Sequence, residues 1–180
     1  LPQFLETTDF RNFKLYTLNG RCVQNKGMAL FPRRIRDQYW MVSRLDGENI
    51  YLLPSDSVHF WNESHKLRGP VKFWEFVQIG NCGSPVETPD GWLLLTHGVG
   101  PMRQYWLGAL LLDLDDPTRV IGALDEPVLA PNETERDGYV PNVVYSCGAM
   151  VHGDTLLIPY AVADTFTSIA TVSLSAILGA

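Results

Sequence analysis

The sequence has few cysteines and no long hydrophobic run, and both absences limit its class. Its three cysteines, Cys22, Cys82 and Cys147, form no Cys-x-x-Cys pair. An odd number of widely spaced cysteines does not make a disulfide framework, which favours a reducing compartment and predicts a cytoplasmic protein. No run of about 18 apolar residues is present, so we expect no membrane-spanning segment and no membrane partner.

Positive charge is also scarce. The 180 residues include 14 Lys and Arg against 20 Asp and Glu, which gives a formal net charge of −6. Nonspecific nucleic-acid binding relies on basic surface, so we expect no nucleic-acid partner. A local cluster of Arg, Lys and His can still hold phosphate in an acidic protein. Hydrophobic residues make up 46% of the chain, enough for a sizeable core, and its length predicts one domain over residues 1–180.

Several common catalytic motifs are missing. The histidines have no metal-ligand spacing, no glycine-rich loop precedes a helix, and no Gly-x-Ser-x-Gly elbow occurs. Zinc, nucleotide and serine-hydrolase chemistry therefore lack support, and we expect neither a metal nor an organic cofactor. The histidines are His59, His65, His97 and His152.

Amphipathic helical periodicity is absent too, and the pattern is that of strands. Apolar stretches of five to eight residues, rich in Val, Ile, Leu, Trp and Tyr, alternate with Gly, Asp, Pro and Asn. This pattern predicts an all-β fold. The tail, Ser173–Leu178, is long enough for one helical turn.

Three stretches of the chain share one plan, in which a hairpin with an Asp- or Gly-type turn precedes a third strand. A polar element and a late apolar residue follow the first two, namely Phe60–Trp61 and Val120–Ile121. Thr8–Phe13 resembles the end of one more unit. The hairpins are 29–44, 83–97 and 147–160, and the third strands are 49–54, 105–112 and 168–172.

Three or four strands recurring every 50 to 65 residues are typical of β-propeller blades, with a β-sandwich as the alternative. Propellers close with about four to eight blades, whereas this chain supplies about three blades and a fraction. We therefore expect the remaining blades to come from a longer chain or from another subunit. The first residue, Leu1, is not a methionine, which fits that expectation.

Five motifs in order resemble glycoside hydrolase family 130, the β-mannoside phosphorylases and related β-mannosidases. The resemblance implies a five-bladed β-propeller, of which this chain is the C-terminal part. The Glu-Asp-Pro-Arg motif that carries the family's general acid is absent. The motifs are Asn25–Pro32, Gly91–Val99, Leu107–Asp113 with Asp116–Pro117 and Val120–Gly122, Val140–Val144 with Cys147–Gly148, and Ala163–Thr165.

The resemblance implies an inverting phosphorylase, in which inorganic phosphate replaces the base that an inverting hydrolase needs. Phosphate then acts as co-substrate, and the protein supplies cations. The candidate phosphate-binding residues are Lys26, Arg44, His97 and Arg103. Three of them have a structural alternative: a solvated turn for Lys26, a core position for His97, and for Arg44 an ion pair with one of the nearby carboxylates, Asp46 or Glu48. Many family members have Tyr-Arg before the Leu-Gly-Ala motif; here Trp106 fills the Arg position, and Arg103 is the candidate replacement.

The candidate substrate-binding residues are Tyr105, Asn142 and Asp164, the last matching a sugar-contacting carboxylate of the family. For Asn142 and Asp164 the alternative is a turn residue. No catalytic residue is assigned within this chain. If water replaces phosphate, Glu48 and Glu75 are the first candidates for the base. Glu75 is flanked by aromatic residues, and a carboxylate in such surroundings can have a raised pKa.

These observations favour an enzyme that converts a β-mannoside and phosphate to mannose 1-phosphate. The alternative enzyme is a β-mannosidase that uses water. The alternative of another class is a noncatalytic propeller fragment that binds sugar or a partner.

We expect that this chain does not act as an isolated monomer. Exposed strand edges and large apolar patches usually meet a partner, and such faces are expected around Phe10, Phe13 and Leu15 and around Ile169 and Val172. The purified chain alone should show no phosphorolysis, because the general acid comes from outside it. Mass in solution and turnover of a β-mannoside check this, and an active monomer of 20.2 kDa would contradict it.

Overall fold

The computed structural model describes residues 1–179, and its regular secondary structure consists almost entirely of antiparallel strands. A single short helix follows the last strand within these residues, so the all-β class is confirmed. None of the described helices is long and apolar enough to cross a membrane. The strands are β1 (Gln3–Glu6), β2 (Lys14–Thr17), β3 (Ala29–Leu30), β4 (Tyr39–Ser43), β5 (Ile50–Ser55), β6 (His65–Arg68), β7 (Gln78–Asn81), β8 (Val86–Thr88), β9 (Gly91–Val99), β10 (Tyr105–Leu112), β11 (Val120–Ala123), β12 (Val144–Tyr145), β13 (Met150–His152), β14 (Thr155–Val162) and β15 (Phe166–Ser173), and the helix is α1 (Leu174–Leu178).

The strands form one hairpin and three open sheets. The hairpin pairs β1 with β2, and the first sheet has the order β3-β4-β5-β6. In the second sheet β9 and β10 are central, β11 lies beside β10, and β7 and β8 share the other edge of β9. In the third sheet β12 and β13 share one edge of β14, and β15 pairs with the other. In each sheet a central strand, β4, β9 or β14, therefore pairs with a preceding strand on one edge and with the next strand of the chain on the other, and the first two sheets add one more strand.

Two sequence-based expectations about strands need correction. Phe60–Trp61 was expected to end the first unit, but the fourth strand of the first sheet is β6. The Trp61 backbone instead bonds to Asn19 and Cys22, because its ring is fully buried against the segment that precedes the first sheet. The strand pattern predicted from the sequence also omitted β7.

Thr8–Phe13 forms the turn of the β1–β2 hairpin, where Asp9 accepts hydrogen bonds from two backbone amides.

The core lies between the sheets, and β9 contributes to both of its main parts. Trp92 and Leu94 pack against the first sheet, whereas Leu93 and Leu95 pack against the third. Successive side chains of a strand point to opposite faces, so one apolar strand can serve two interfaces. The second sheet is therefore held between its two neighbours.

Of the five apolar residues expected to be exposed near the two ends of the chain, four are exposed and one is not. Phe10, Phe13 and Leu15 on the hairpin and Ile169 on β15 are exposed. Val172 is instead packed against the core between the second and third sheets. Its side chain alternates with that of the exposed Thr171, so the two lie on opposite faces of β15.

Glycines allow Trp74 to pack closely against the second sheet. Trp74 belongs to a short 3₁₀ turn, Phe73–Glu75, and only 2% of its surface is exposed. A Cβ atom at Gly108 would lie 2.3 Å from its ring, and one at Gly98 would lie 2.5 Å from it. Both glycines are therefore needed for the indole to pack.

Gly108→Ala should destabilise the fold by about 1–3 kcal/mol, because an added methyl group forces Trp74 out of its position. Gly122→Ala is the matched control in the same sheet, since its Cβ would meet only ordinary contacts at 3.4 Å. Urea unfolding of both variants measures the difference. Equal stabilities would mean that the indole site is not tightly packed.

Candidate functional site

Candidate polar residues lie at the C-terminal ends of three equivalent strands. Arg44 follows β4, His97 lies near the end of β9, and Asp164 follows β14. These strands occupy the same place in the three repeated sheets. Arg44 and His97 therefore lie at corresponding strand ends of neighbouring sheets.

Arg44 and His97 meet above Gly80, which is paired with His97 across the β7–β9 ladder. A Cβ atom at Gly80 would lie 2.4 Å from Arg44 Cδ and 2.5 Å from His97 Cε1. Only glycine leaves room for both side chains there. Gly27 lies on the other side of Arg44, where an added Cβ would be 3.1 Å from Arg44 Cγ and Cδ.

Arg44 is buried without a carboxylate partner. Its exposed fraction is 5%, and its Nη2 donates to the carbonyl oxygen of Gly47 at 2.8 Å. The four ion pairs within residues 1–179 do not include it, so the alternative of a pair with Asp46 or Glu48 is wrong. Asp46 instead accepts hydrogen bonds within its own turn, among them those from Asn49 and Tyr51.

His97 is fully buried and lies between two tyrosines. Its ring is parallel to that of Tyr105 at a centroid distance of 6.0 Å and meets the Tyr145 ring edge-on at 5.0 Å. Cys82 Sγ lies 3.8 Å from His97 Nδ1, and Nε2 has no hydrogen-bond partner. Burial and the positive charge of Arg44 lower the pKa of His97 to about 3. The imidazole is therefore neutral at physiological pH.

Backbone hydrogen bonds connect the segments that carry the candidate substrate-binding residues to one another. The Tyr105 amide donates to the Asn142 carbonyl at 3.0 Å, and the Ala163 amide donates to the Val143 carbonyl at 2.8 Å. Asn142 is half-buried, whereas Asp164 is exposed. Both have left-handed backbone, with φ of 59° and 52°. Asn and Asp adopt this conformation more readily than most residues, as the turn alternative requires.

The other two candidate cations are exposed. Lys26 directly precedes Gly27, and its charge contributes to the lowered pKa of His97. Arg103 ends the short turn Pro101–Arg103, which lies between β9 and β10. Lys26 is thus beside the buried pair, and Arg103 lies on the loop that leads to Tyr105.

The whole sequence matches one family of known proteins. Residues 5–180 match the family of beta-1,4-mannooligosaccharide phosphorylases, glycoside hydrolase family 130. The chain belongs to family 130.

Curated relatives and a solved structure agree with this assignment. A 1,2-beta-oligomannan phosphorylase from Thermoanaerobacter sp. is 40% identical over 148 residues, which are 81% of this chain and 50% of that protein. A beta-1,2-mannobiose phosphorylase from Listeria innocua is 33% identical over 180 residues, 96% of this chain and 50% of the relative. The structure of a Listeria innocua beta-1,2-mannobiose phosphorylase with beta-1,2-mannobiose covers 98% of this chain and 52% of its own, with a TM-score of 0.86 and 31% identity. The chain spans about half the length of these relatives.

Trp106, which replaces the Arg of many family 130 members, has a packing role. Its ring contacts that of Phe73 edge-on at 5.8 Å, and a Cβ atom at Gly100 would lie 2.2 Å from it. The side chain therefore supports the turn before β10 and brings no charge to the site. Arg103 stays the predicted replacement.

The two carboxylates proposed as alternative bases lie in different environments. Glu75 is buried, accepts hydrogen bonds from the amides of Val71 and Lys72, and lies 3.7 Å from Arg68. It therefore caps the turn that carries Trp74. The Glu48 side chain is exposed, and its backbone carbonyl accepts from the Ile79 amide.

Four residues at the site were not anticipated from the sequence: Gly80, Asn81, Cys82 and Tyr145. Asn81 is 2% exposed and follows Gly80 in β7, a strand that the sequence pattern did not predict. The sequence signal that could have indicated Asn81 is the pair Gly80–Asn81 directly after the apolar Ile79, because it places a polar residue inside a strand.

We expect His97 to lower the free energy of unfolding as the pH falls. The unfolded imidazole takes up a proton below its ordinary pKa of 6.5, whereas the folded one stays neutral until about 3. The contribution to stability is therefore complete above pH 6.5 and decreases toward pH 3, by up to about 1.4 kcal/mol for each pH unit. His97→Gln should flatten this part of the profile.

Urea unfolding at several pH values between 6.5 and 4 measures the slope. His152→Gln is the control, because His152 is exposed. The carboxylates titrate alike in all three proteins, so the difference in slope belongs to the histidine. A His97→Gln slope equal to that of the unaltered chain would contradict the buried neutral imidazole.

Proposed function

We propose that this chain belongs to an enzyme that cleaves a β-mannoside with inorganic phosphate and releases mannose 1-phosphate. The observation that carries the proposal is the buried pair Arg44 and His97, a cation without a carboxylate partner beside a neutral imidazole with a free ring nitrogen. A buried charge without a partner is costly, and a bound anion would compensate it. Lys26, which is exposed and directly precedes Gly27, adds a second positive charge that lowers the pKa of His97.

The same pair supports phosphate rather than water as the attacking group. An inverting hydrolase needs a carboxylate base to activate water, whereas a phosphorylase needs donors that hold phosphate. Arg44 offers charged donors, and neutral His97 can donate through Nε2. Glu75, a proposed base for the hydrolytic alternative, is engaged by backbone amides of its own turn.

The first substrate to assay is a β-1,2-linked mannoside. The relatives from Thermoanaerobacter sp. and Listeria innocua carry names that specify this linkage. In our proposal Tyr105, Asn142 and Asp164 bind the sugar. The Tyr105 ring stacks on His97, the Tyr105 amide bonds to Asn142, and Ala163, which precedes Asp164, bonds to Val143, which follows Asn142. A β-1,4-linked mannoside is the comparison substrate, since another relative is a β-1,4-mannooligosaccharide phosphorylase.

We further propose that the three sheets are consecutive blades of a five-bladed propeller and that other blades complete the ring and supply the general acid. The open sheets, the exposed Phe10, Phe13 and Ile169, and the half-length match to the relatives support this arrangement. The missing Glu-Asp-Pro-Arg motif supports an acid from outside these residues. The free thiols of Cys22, Cys82 and Cys147 support the cytoplasmic location.

Arg44→Ala should raise the phosphate concentration needed for half-maximal turnover by about 10- to 100-fold in the assembled enzyme, because charged hydrogen bonds to phosphate are lost. Arg119→Ala is the matched control, since Arg119 is exposed and pairs with Asp113 on the surface. The assay follows mannose 1-phosphate released from β-1,2-mannobiose at increasing phosphate. Free mannose at a rate independent of phosphate would identify a mannosidase, and no product from the folded, assembled protein would favour a binding fragment.

A further inference from the structure

Three buried polar atoms around Arg44 have no hydrogen-bond partner. They are Arg44 Nε, Asn81 Oδ1 and His97 Nε2. Each residue is more than nine-tenths buried. Buried polar groups in folded proteins nearly always have a partner, which can be water or a ligand. Three such atoms in one place therefore indicate a site for a group that the protein itself does not supply.

The Arg44 side chain connects the other two atoms. A Cβ atom built on Gly80 would lie 2.7 Å from Arg44 Nε and 2.5 Å from His97 Cε1, the carbon next to Nε2. A Cβ atom built on Gly27 would lie 3.1 Å from Arg44 Cδ and 3.2 Å from Asn81 Oδ1. The missing side chains at the two glycines thus let the same arginine lie close to both His97 and Asn81, which brings the three unpartnered atoms together.

The three atoms require a ligand with both hydrogen-bond acceptors and a donor. Arg44 Nε can only donate, and Asn81 Oδ1 can only accept. The orientation of the Asn81 amide is fixed, because its Nδ2 donates to the Gly83 carbonyl at 3.1 Å. His97 Nε2 suits either role when the imidazole is neutral. A fully deprotonated anion would satisfy Arg44 but would face the Asn81 oxygen without a proton between them.

Phosphate meets both requirements near neutral pH, because it carries at least one P–OH group besides its charged oxygens. Sulfate has the same shape and charged oxygens but no proton. We infer that Asn81 accepts a hydrogen bond from the hydroxyl of bound phosphate and thereby selects phosphate over sulfate. This inference rests on the proposed function, since it assigns Asn81 to the phosphate site of Arg44 and His97.

The test is calorimetric titration of the chain with inorganic phosphate and with sulfate, at pH 7 and equal ionic strength. Phosphate should bind about tenfold more tightly than sulfate or better, because sulfate leaves the Asn81 carbonyl unpartnered. Arsenate, which carries a hydroxyl at this pH, should resemble phosphate. These measurements need no variant, so they stay decisive if a substitution at Asn81 prevents folding.

Asn81→Ala should weaken phosphate binding by about tenfold, leave sulfate binding nearly unchanged and so bring the preference toward parity. Asn12→Ala is the matched control, because Asn12 lies in the exposed turn of the β1–β2 hairpin. It should keep the preference of the unaltered chain. A preference that survives in Asn81→Ala would overturn the role of Asn81.

The outcomes separate this inference from the proposed function. If phosphate binds and sulfate binds equally well to the unaltered chain, the inference fails while the phosphate site stands. If phosphate does not bind and Arg44→Ala changes nothing, the phosphate site fails and the inference fails with it. Tight phosphate binding with a preference that depends on Asn81 supports both.

Discussion

The burial of β9 on both faces is the constraint on which the rest of the structure depends. All nine residues of Gly91–Val99 are buried. Alternate side chains enter two different cores, so a shift by one residue would exchange every contact with the first sheet for a contact with the third. The register of β9 is therefore fixed, and with it the positions of His97 and of the glycines near its end.

Because the register is fixed, Arg44 and His97 are held in a buried position that water does not solvate. Gly80 pairs with His97 and leaves room for Arg44, so a cation and an imidazole share one place without a carboxylate. Such an arrangement costs stability in the absence of a ligand, and in our proposal an anion binds to donors that are already oriented. The packed Trp74 and Trp106 support the strands from the other side and bring no charge.

Membership of family 130 connects this geometry to the phosphate-dependent cleavage that we propose. The chain spans about half of the relatives it matches, and its sheets are open within residues 1–179. The half that is described contains donors suited to an anion, whereas its buried carboxylate, Glu75, caps a turn. We therefore propose that this chain supplies the phosphate-binding residues and that other blades supply the general acid.

The sequence by itself determined the all-β class, the three hairpins and the residue types at the strand ends, because strand alternation and turn chemistry are local properties of a few neighbouring residues. It also carried the family motifs that indicated His97 and Asp164. It did not predict β7, and it placed Phe60–Trp61 at the end of the first unit, because pairing with β9 and burial of the Trp61 ring depend on distant segments. Only the tertiary structure decided that Asn81, Arg44 and His97 lie close together, since their proximity follows from the packing of two sheets and from the absence of a side chain at Gly80.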